Sequence, residues 1–282
     1  TSADGTVAVE AEGWQQLPDH PELALVLRAL RHFQLGGGCE VVVGGEAPRG
    51  SGLGGSSALM VALCAAVTAW QGRPRGGNEL VRIASALEAQ VLGTPTGRQD
   101  HYAAAYGGIN ALWFDVEGDR VEQLDPTGAL ATALSERLVL CDSGHAHHSG
   151  AQNWPILRAY IDGDPAVRAA IAGIRRAAEG VRAALSGAPD WTALAGWIDE
   201  EWRYRRQLAS GVSTSRIEGL LRVGRGAGAL AGKVCGAGGG GCLLLLAPPD
   251  RREAVEQALA QAGARPLPAR IRSDGLRVCC EL

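Results

Sequence analysis

The sequence predicts an α+β protein with two lobes, and three observations lead there. Short apolar runs such as Glu40–Gly44 (EVVVG) and Arg137–Asp142 (RLVLCD) mix with long helical periodicities, without strict strand–helix alternation. A chain of 282 residues is long enough to bury one large core or two. Glycine reaches 40 residues but is clustered rather than periodic, which marks specialised loops and not a fibrous or low-complexity chain. The division is placed after residue 134, giving lobes 1–134 and 135–282. No internal repeat is visible.

In chain order, Thr6–Glu10 and Glu40–Gly44 read as strands, with an amphipathic helix over Glu22–Phe33 between them. Ala58–Trp70 is a helix apolar on nearly every side, hence central. Asn78–Leu92 places Leu80, Ile83, Leu87 and Val91 at helical spacing and stops at Gly93-Thr94-Pro95-Thr96-Gly97. Ile109–Phe114 and Val121–Leu124 bracket Glu117-Gly118-Asp119, a hairpin signature. After the Arg137–Asp142 strand come helices at Ala166–Leu185, Trp191–Leu208 and Ser215–Gly226. A second glycine loop then feeds the apolar strand ending at Leu246, and a helix at Arg251–Ala262 and a strand near Gly275–Cys280 close the chain. Trp191, Trp197 and Trp202, at helical spacing, read as packing residues and not as a sugar platform.

Composition excludes several classes. Apolar residues make up 46%, charged residues 20%, and the net charge of −3 provides no basic footprint for nucleic acid or a membrane surface. The longest apolar run, Ala58–Trp70, is too short to span a bilayer. Seven cysteines, an odd number without any CxxC, read as buried thiols of a reducing compartment, so a cytoplasmic location is expected.

Chemistry concentrates in the stretch Ala47-Pro48-Arg49-Gly50-Ser51-Gly52-Leu53-Gly54-Gly55-Ser56-Ser57-Ala58, which runs straight into the apolar helix. A helix start presents unpaired N–H groups and the positive end of the macrodipole, and glycine lets the backbone approach an anion closely. No Asp or Glu occurs between Glu46 and Glu79, whereas Arg49, Arg73 and Arg75 do, which suits a polyanion. Two rival phosphate motifs fail. Gly50-x-Gly52-x-x-Gly55 lacks the acidic residue a dinucleotide fold needs about 20 positions on, and Gly236-x-Gly238-x-x-Gly241 opens into a strand. The chain's one lysine, Lys233, is followed by Val, so no Walker loop exists; that lysine either reaches a phosphate or is solvated. His145, His147 and His148 lie near Asp142, but no second ligand cluster accompanies them, which argues against zinc.

Pro48–Ala58 resembles the central motif of the GHMP small-molecule kinases, a proline followed by Gly-Leu-Gly-Ser-Ser and an apolar helix. Gly93–Gly108 (GTPTGRQDHYAAAYGG), Gly211-Val212-Ser213 and Gly232–Leu246 are similar to further motifs of the family, and of its heptose 7-phosphate branch in particular. The resemblance runs from about Glu40 to the C-terminus. It implies a ribosomal-protein-S5-like N-terminal lobe and a ferredoxin-like C-terminal lobe, with ATP and sugar meeting between them.

By matched position, the resemblance implies that Pro48 and Gly50, Ser51, Gly52, Leu53, Gly54, Gly55, Ser56 and Ser57 wrap the nucleotide phosphates. Ser56 and Glu88 would hold Mg²⁺, and Asp100 would be the catalytic base. From spacing alone, Asp100 is equally an N-cap of a helix over His101–Tyr106, and Glu88 reads as a solvated helix face rather than a metal ligand. Gly97, Arg98, Gln99, His101, Ser143, Gly144, His147 and the loop residues Gly236, Ala237, Gly238 and Gly239 would line the acceptor site. Gly55 stands where relatives carry serine, Arg98 where they carry lysine, His101 where they carry glutamine, and His147 where they carry arginine. The family's first motif, a strand and glycine-rich turn lining the sugar site, has no match, so the sequence reads as N-terminally incomplete or completed from elsewhere. The implied reaction is ATP-dependent phosphorylation of the anomeric hydroxyl of D-glycero-D-manno-heptose 7-phosphate to the 1,7-bisphosphate. Alternatives are a fucose- or galactose-type kinase of the same family, or a silent relative that only binds nucleotide or sugar. The expected partner is a small sugar phosphate, with neither nucleic acid nor membrane, in a monomer or homodimer.

Overall fold

The computed structural model describes residues 23–35, 40–45, 47–48, 50–144 and 150–279, with side chains from 153 onward in the last segment. The strand expected at Thr6–Glu10 lies outside these residues, as do His145, His147 and His148. Backbone contacts divide the chain into two compact units. The first draws on Thr1–Pro48, Gly54–Gly107 and Asp274–Leu282, and the second on Arg49–Leu53 and Gly108–Ser273.

In the first unit, α1 (Ala24–His32), α2 (Gly55–Trp70), α3 (Gly77–Leu92) and α4 (Gln99–Tyr106) pack around one core. Leu27 and Leu30 of α1, Met60 and Cys64 of α2, and Leu80 and Leu87 of α3 are its buried members. Burial pushes the Cys64 thiol up to about 12, which leaves it a neutral packing group. The α2 helix needs little amphipathicity because it is apolar nearly all round and enclosed by its neighbours. The α3 helix stops where Gly93 takes a left-handed conformation. The strand expected at Glu40–Gly44 reduces to one bridging residue, Val43. Its Val41 and Val43 side chains pack on the helical core, so the apolar run reflects burial without an extended ladder. The closing strand expected near Gly275–Cys280 is absent from the described residues. That segment instead hooks onto α4, with Leu276 N–H donating to Ala105 O at 3.1 Å.

The second unit contains a hairpin, β1 (Asn110–Asp115) with β2 (Gly118–Gln123), paired from Asn110↔Gln123 to Asp115↔Gly118. These strands, counted with the first lobe in the sequence division, belong with the second set of contacts. Next come α5 (Ala129–Ser135), β3 (Leu138–Asp142), α6 (Gly150–Ile161), α7 (Pro165–Leu185), α8 (Trp191–Arg205) and α9 (Ser215–Gly226). The chain continues through β4 (Ala231–Val234), β5 (Cys242–Leu246), α10 (Arg252–Gln261) and β6 (Arg265–Leu267). Asp164, Asp190 and Thr214 start α7, α8 and α9 as side-chain N-caps.

The sheet order β4-β5-β3-β6 is antiparallel throughout, and strands and helices follow the β-α-β-β-α-β course of a ferredoxin-like lobe. Burial on both faces explains the unbroken apolar run of β5. Leu243 and Leu245 join Ile217, Leu220, Val255 and Leu259 in one core, whereas Leu246 joins Leu134, Ala184 and Leu194 in another. Trp202 is buried, Trp191 lies under the Arg137 guanidinium at 4.2 Å, and Trp197 covers Gly180, so all three tryptophans are packing residues. Lys233 is neither solvated nor free. Its Nζ lies 2.5 Å from Glu201 Oε2, and Arg205 grips the other oxygen of the same carboxylate. Among the described residues no helix is long and apolar enough to cross a membrane.

Candidate functional site

The first glycine loop changes unit between Leu53 and Gly54, so each portion has its own setting. Gly54 opens α2 from a left-handed conformation, φ +72°, which only glycine adopts without strain. The first helical bond is Ala58 N–H to Gly54 O at 2.9 Å, so the amides of Gly55, Ser56 and Ser57 precede the helical ladder. No side chain caps this end, and its first turn carries no acidic residue. Pro48 is half-buried just upstream.

Three side chains converge on this helix start from α3 and α4. Asp100 packs directly on Gly54, where a Cβ would stand 2.8 Å from the Asp100 Cβ. The α4 helix begins two residues earlier than expected, with Arg98 at its N-cap position, so Asp100 sits inside the first turn and caps nothing. Burial raises the Asp100 carboxyl and nearby Glu88 adds to the rise, while His101 and Gln99 pull the other way. Gln99 donates weakly to Asp100 Oδ2 at 3.4 Å and folds back over Gly97.

Glu88 is not a solvated residue: it is 2% exposed. Ser57 Oγ donates to its Oε2 at 3.0 Å, and His101 Nε2 lies 2.9 Å from the same oxygen. Burial works upward on the Glu88 carboxyl, but His101, Ser56 and Ser57 outweigh it and hold the group below its ordinary value. Glu88 is therefore an anion at neutral pH in a nearly dry place. Ser56 is exposed and Ser57 buried, so the two hydroxyls occupy different environments.

In the second unit, residues 50–53 lie against the second glycine loop. Cys242 N–H donates to Ser51 O at 2.8 Å, and Ser143 N–H donates to Gly241 O at 3.0 Å. A Cβ at Gly241 (φ +75°) would stand 2.7 Å from Ser51 O, so the close approach of these segments requires glycine. Gly52 faces Cys235 O across the same junction, and Gly239 N–H donates to Val212 O at 2.8 Å. Ser143 and Gly144 end β3 beside Asp142, which accepts from Gly144 N–H at 3.0 Å and from Arg265 at 3.1 Å. Arg216 reaches Ser143 O at 3.3 Å.

The structure thus gathers Gly54, Ser56, Ser57, Glu88, Asp100 and His101 in the first unit. It gathers Ser51, Gly52, Ser143 and residues 236–241 in the second; His147 lies outside the described residues. The His101–Glu88 contact and the Arg216 and Arg265 contacts were not read from sequence, because each joins residues far apart in the chain through tertiary packing.

Residues 24–108 match the GHMP kinases N terminal domain, and residues 177–265 match the GHMP kinases C terminal. A D-glycero-alpha-D-manno-heptose 7-phosphate kinase of Campylobacter jejuni is 30% identical over 215 residues, 76% of this chain and 62% of the relative. The chain therefore spans under two thirds of that relative's length. A mevalonate kinase of Thermococcus onnurineus is 27% identical over 266 residues, 86% of this chain and 70% of its own. The solved structure of a D-glycero-D-manno-heptose 1-phosphate kinase from Bacteriodes thetaiotaomicron superposes with a TM-score of 0.72 at 25% identity, covering 99% of this chain and 85% of that one. With both domains matched and this fold in common, the chain belongs to the GHMP kinase family.

Proposed function

We propose that the chain is an ATP-dependent kinase that phosphorylates a hydroxyl of a sugar phosphate, with the anomeric hydroxyl of a heptose 7-phosphate as acceptor. The observation that carries this reading is Asp100 packed on Gly54. It places a carboxylate beside a helix start with three unbonded amides and no acidic residue in its first turn, which suits the phosphates of a nucleotide. The heptose assignment draws its support from the Campylobacter jejuni relative.

The residues present fit Mg²⁺. Glu88 is a buried anion, held low by its neighbours and close to the Ser56 hydroxyl, a hard oxygen donor set of the kind this ion takes. When bound, Mg²⁺ supplies charge neutralisation on the phosphate oxygens. Every other contribution comes from the chain. Backbone amides of Gly55, Ser56 and Ser57 hold and orient the phosphates, which matters because a loose phosphoryl-transfer transition state leaves little for the protein beyond alignment and electrostatics. Asp100 accepts the proton of the sugar hydroxyl as its oxygen bonds to the terminal phosphorus. The bond from that phosphorus to the bridging oxygen breaks, and ADP departs. An anomeric hydroxyl is more acidic than an ordinary alcohol, and a carboxylate raised by burial is a correspondingly stronger base.

A panel of sugars and sugar phosphates incubated with Mg²⁺ and ATP, with products read by ³¹P NMR, tests the proposal. The expected result is ADP and a new anomeric phosphate from a heptose 7-phosphate. Transfer to fucose or galactose in preference would replace the acceptor assignment. Nucleotide binding without transfer to any sugar would replace the enzyme reading with a silent binder.

A further inference from the structure

His101 is completely buried, at 0% exposure, on the inward side of α4. Its Nε2 lies 2.9 Å from Glu88 Oε2, while Nδ1 has no hydrogen-bonding partner. These facts assign a proton to Nε2, the nitrogen that faces Glu88. With the proton on Nδ1, a buried N–H would have no acceptor, and the Nε2 lone pair would face an anionic oxygen. With the proton on Nε2, the N–H points its dipole at the carboxylate and only a lone pair goes unused, the cheaper deficit. The contact is short but bent away from ideal hydrogen-bond alignment, so proximity of dipole and charge carries it. Ser57 completes the arrangement by donating to the same oxygen, Oε2. One oxygen of Glu88 thus accepts the Ser57 hydrogen bond and faces the His101 Nε2, and a rigid, fully enclosed ring abuts the carboxylate from the α4 side.

We propose that His101 is the positioning residue that holds Glu88 ready for a divalent cation. The inference rests on the reading of Glu88 as a metal-holding residue and goes beyond it by assigning the group that orients it. A carboxylate left to itself in a dry site would either take up a proton or rotate to find other donors. An oriented, anionic carboxylate offers its second oxygen without that reorganisation. Removing such supporting partners commonly costs about 10- to 100-fold in metal affinity.

The test measures cation binding separately from turnover. Mn²⁺ binding to the whole chain with AMPPNP is titrated by electron paramagnetic resonance for wild type, His101→Leu, His101→Gln and Glu88→Gln, with circular dichroism confirming the fold. His101→Met serves as a second apolar replacement if the leucine variant does not fold. The expected result is Mn²⁺ affinity weakened about 10-fold or more in His101→Leu, as for lost supporting partners, and largely restored in His101→Gln, which keeps a donor. A folded His101→Leu or His101→Met variant that binds Mn²⁺ like wild type, while Glu88→Gln loses it, overturns the positioning role and leaves Glu88 in place. A Glu88→Gln variant that binds Mn²⁺ like wild type overturns the metal assignment itself, and the inference with it.

Discussion

Ser57 Oγ donates to Glu88 Oε2 at 3.0 Å, a hydrogen bond between the first turn of α2 and the buried face of α3. The bond gives two adjacent serines different settings. Ser57 is buried and committed to Glu88, whereas Ser56 is exposed. Ser57→Ala should therefore cost stability, about 1 kcal/mol or somewhat more, because it strips a buried carboxylate of a donor. Ser56→Ala should leave stability within about 0.5 kcal/mol, as surface changes do, and instead raise the Mg²⁺ concentration needed for half-maximal turnover. Urea unfolding and a Mg²⁺ titration of rate separate the two. Equal stability losses would contradict the assignment.

Gly54→Ala puts a Cβ at a left-handed position, at a cost of about 1–2 kcal/mol, and drives it toward the Asp100 side chain at 2.8 Å. The expected variant folds, with a melting temperature a few degrees lower, but loses far more turnover than stability. A misplaced base is penalised steeply when alignment is most of catalysis. Normal turnover in the folded variant would show that Asp100 does not need this position.

The raised Asp100 carboxyl has a definite consequence for pH. In its proposed role as base Asp100 works only when ionised, so kcat/KM should fall as pH drops through its elevated value, earlier than for an ordinary carboxylate near 3.9. For stability the sign is opposite to the usual acid case: a carboxyl raised on folding binds its proton more tightly in the native state. Ionised Asp100 is thus a destabilising group at neutral pH, and Asp100→Asn should unfold no more easily than wild type there. Glu88, held low, works the other way, and the stability it contributes is lost as pH falls through its folded value. The kcat/KM profile and unfolding at pH 7 of Asp100→Asn check both statements.

Much of this was legible in the sequence, and particular residues show why. The α2, α3 and α9 helices follow from apolar spacing and from stop signals such as Gly93, and the unbroken leucines of β5 reflect a strand enclosed on both faces. The three-residue strand β6 was missed because Pro266 and its short length hide an edge strand that forms only against β3. Gly275–Cys280 misled in the opposite sense, since Leu276 packs on the helical core and its N–H donates to Ala105 O of α4. The left-handed turns of the glycine loop at Gly50, Gly52 and Gly54 were announced by the glycines themselves, a backbone requirement that sequence displays directly. The pairing of Glu88 with His101 did not, because the two residues stand on different helices and no local period connects them.

In the second unit, the Glu201 carboxylate serves both Lys233 and Arg205, with side chains 10%, 23% and 26% exposed. Lys233→Met should cost about 1–3 kcal/mol, below the figure for leaving a buried charge wholly unpaired, because Arg205 remains. Burial lowers the Lys233 ammonium first and Arg205 adds to it, while Glu201 opposes both. Denaturant unfolding of the variant measures the cost, and a change near zero would mean that solvent already screens the pair.

The most direct trial of the account is phosphate transfer and AMPPNP binding measured side by side in Asp100→Asn. The account predicts that the nucleotide analogue binds within about threefold of wild type while transfer to the sugar falls by about 10²–10⁴, the usual share of a general base. Transfer at the wild-type rate by a folded Asp100→Asn protein would contradict it.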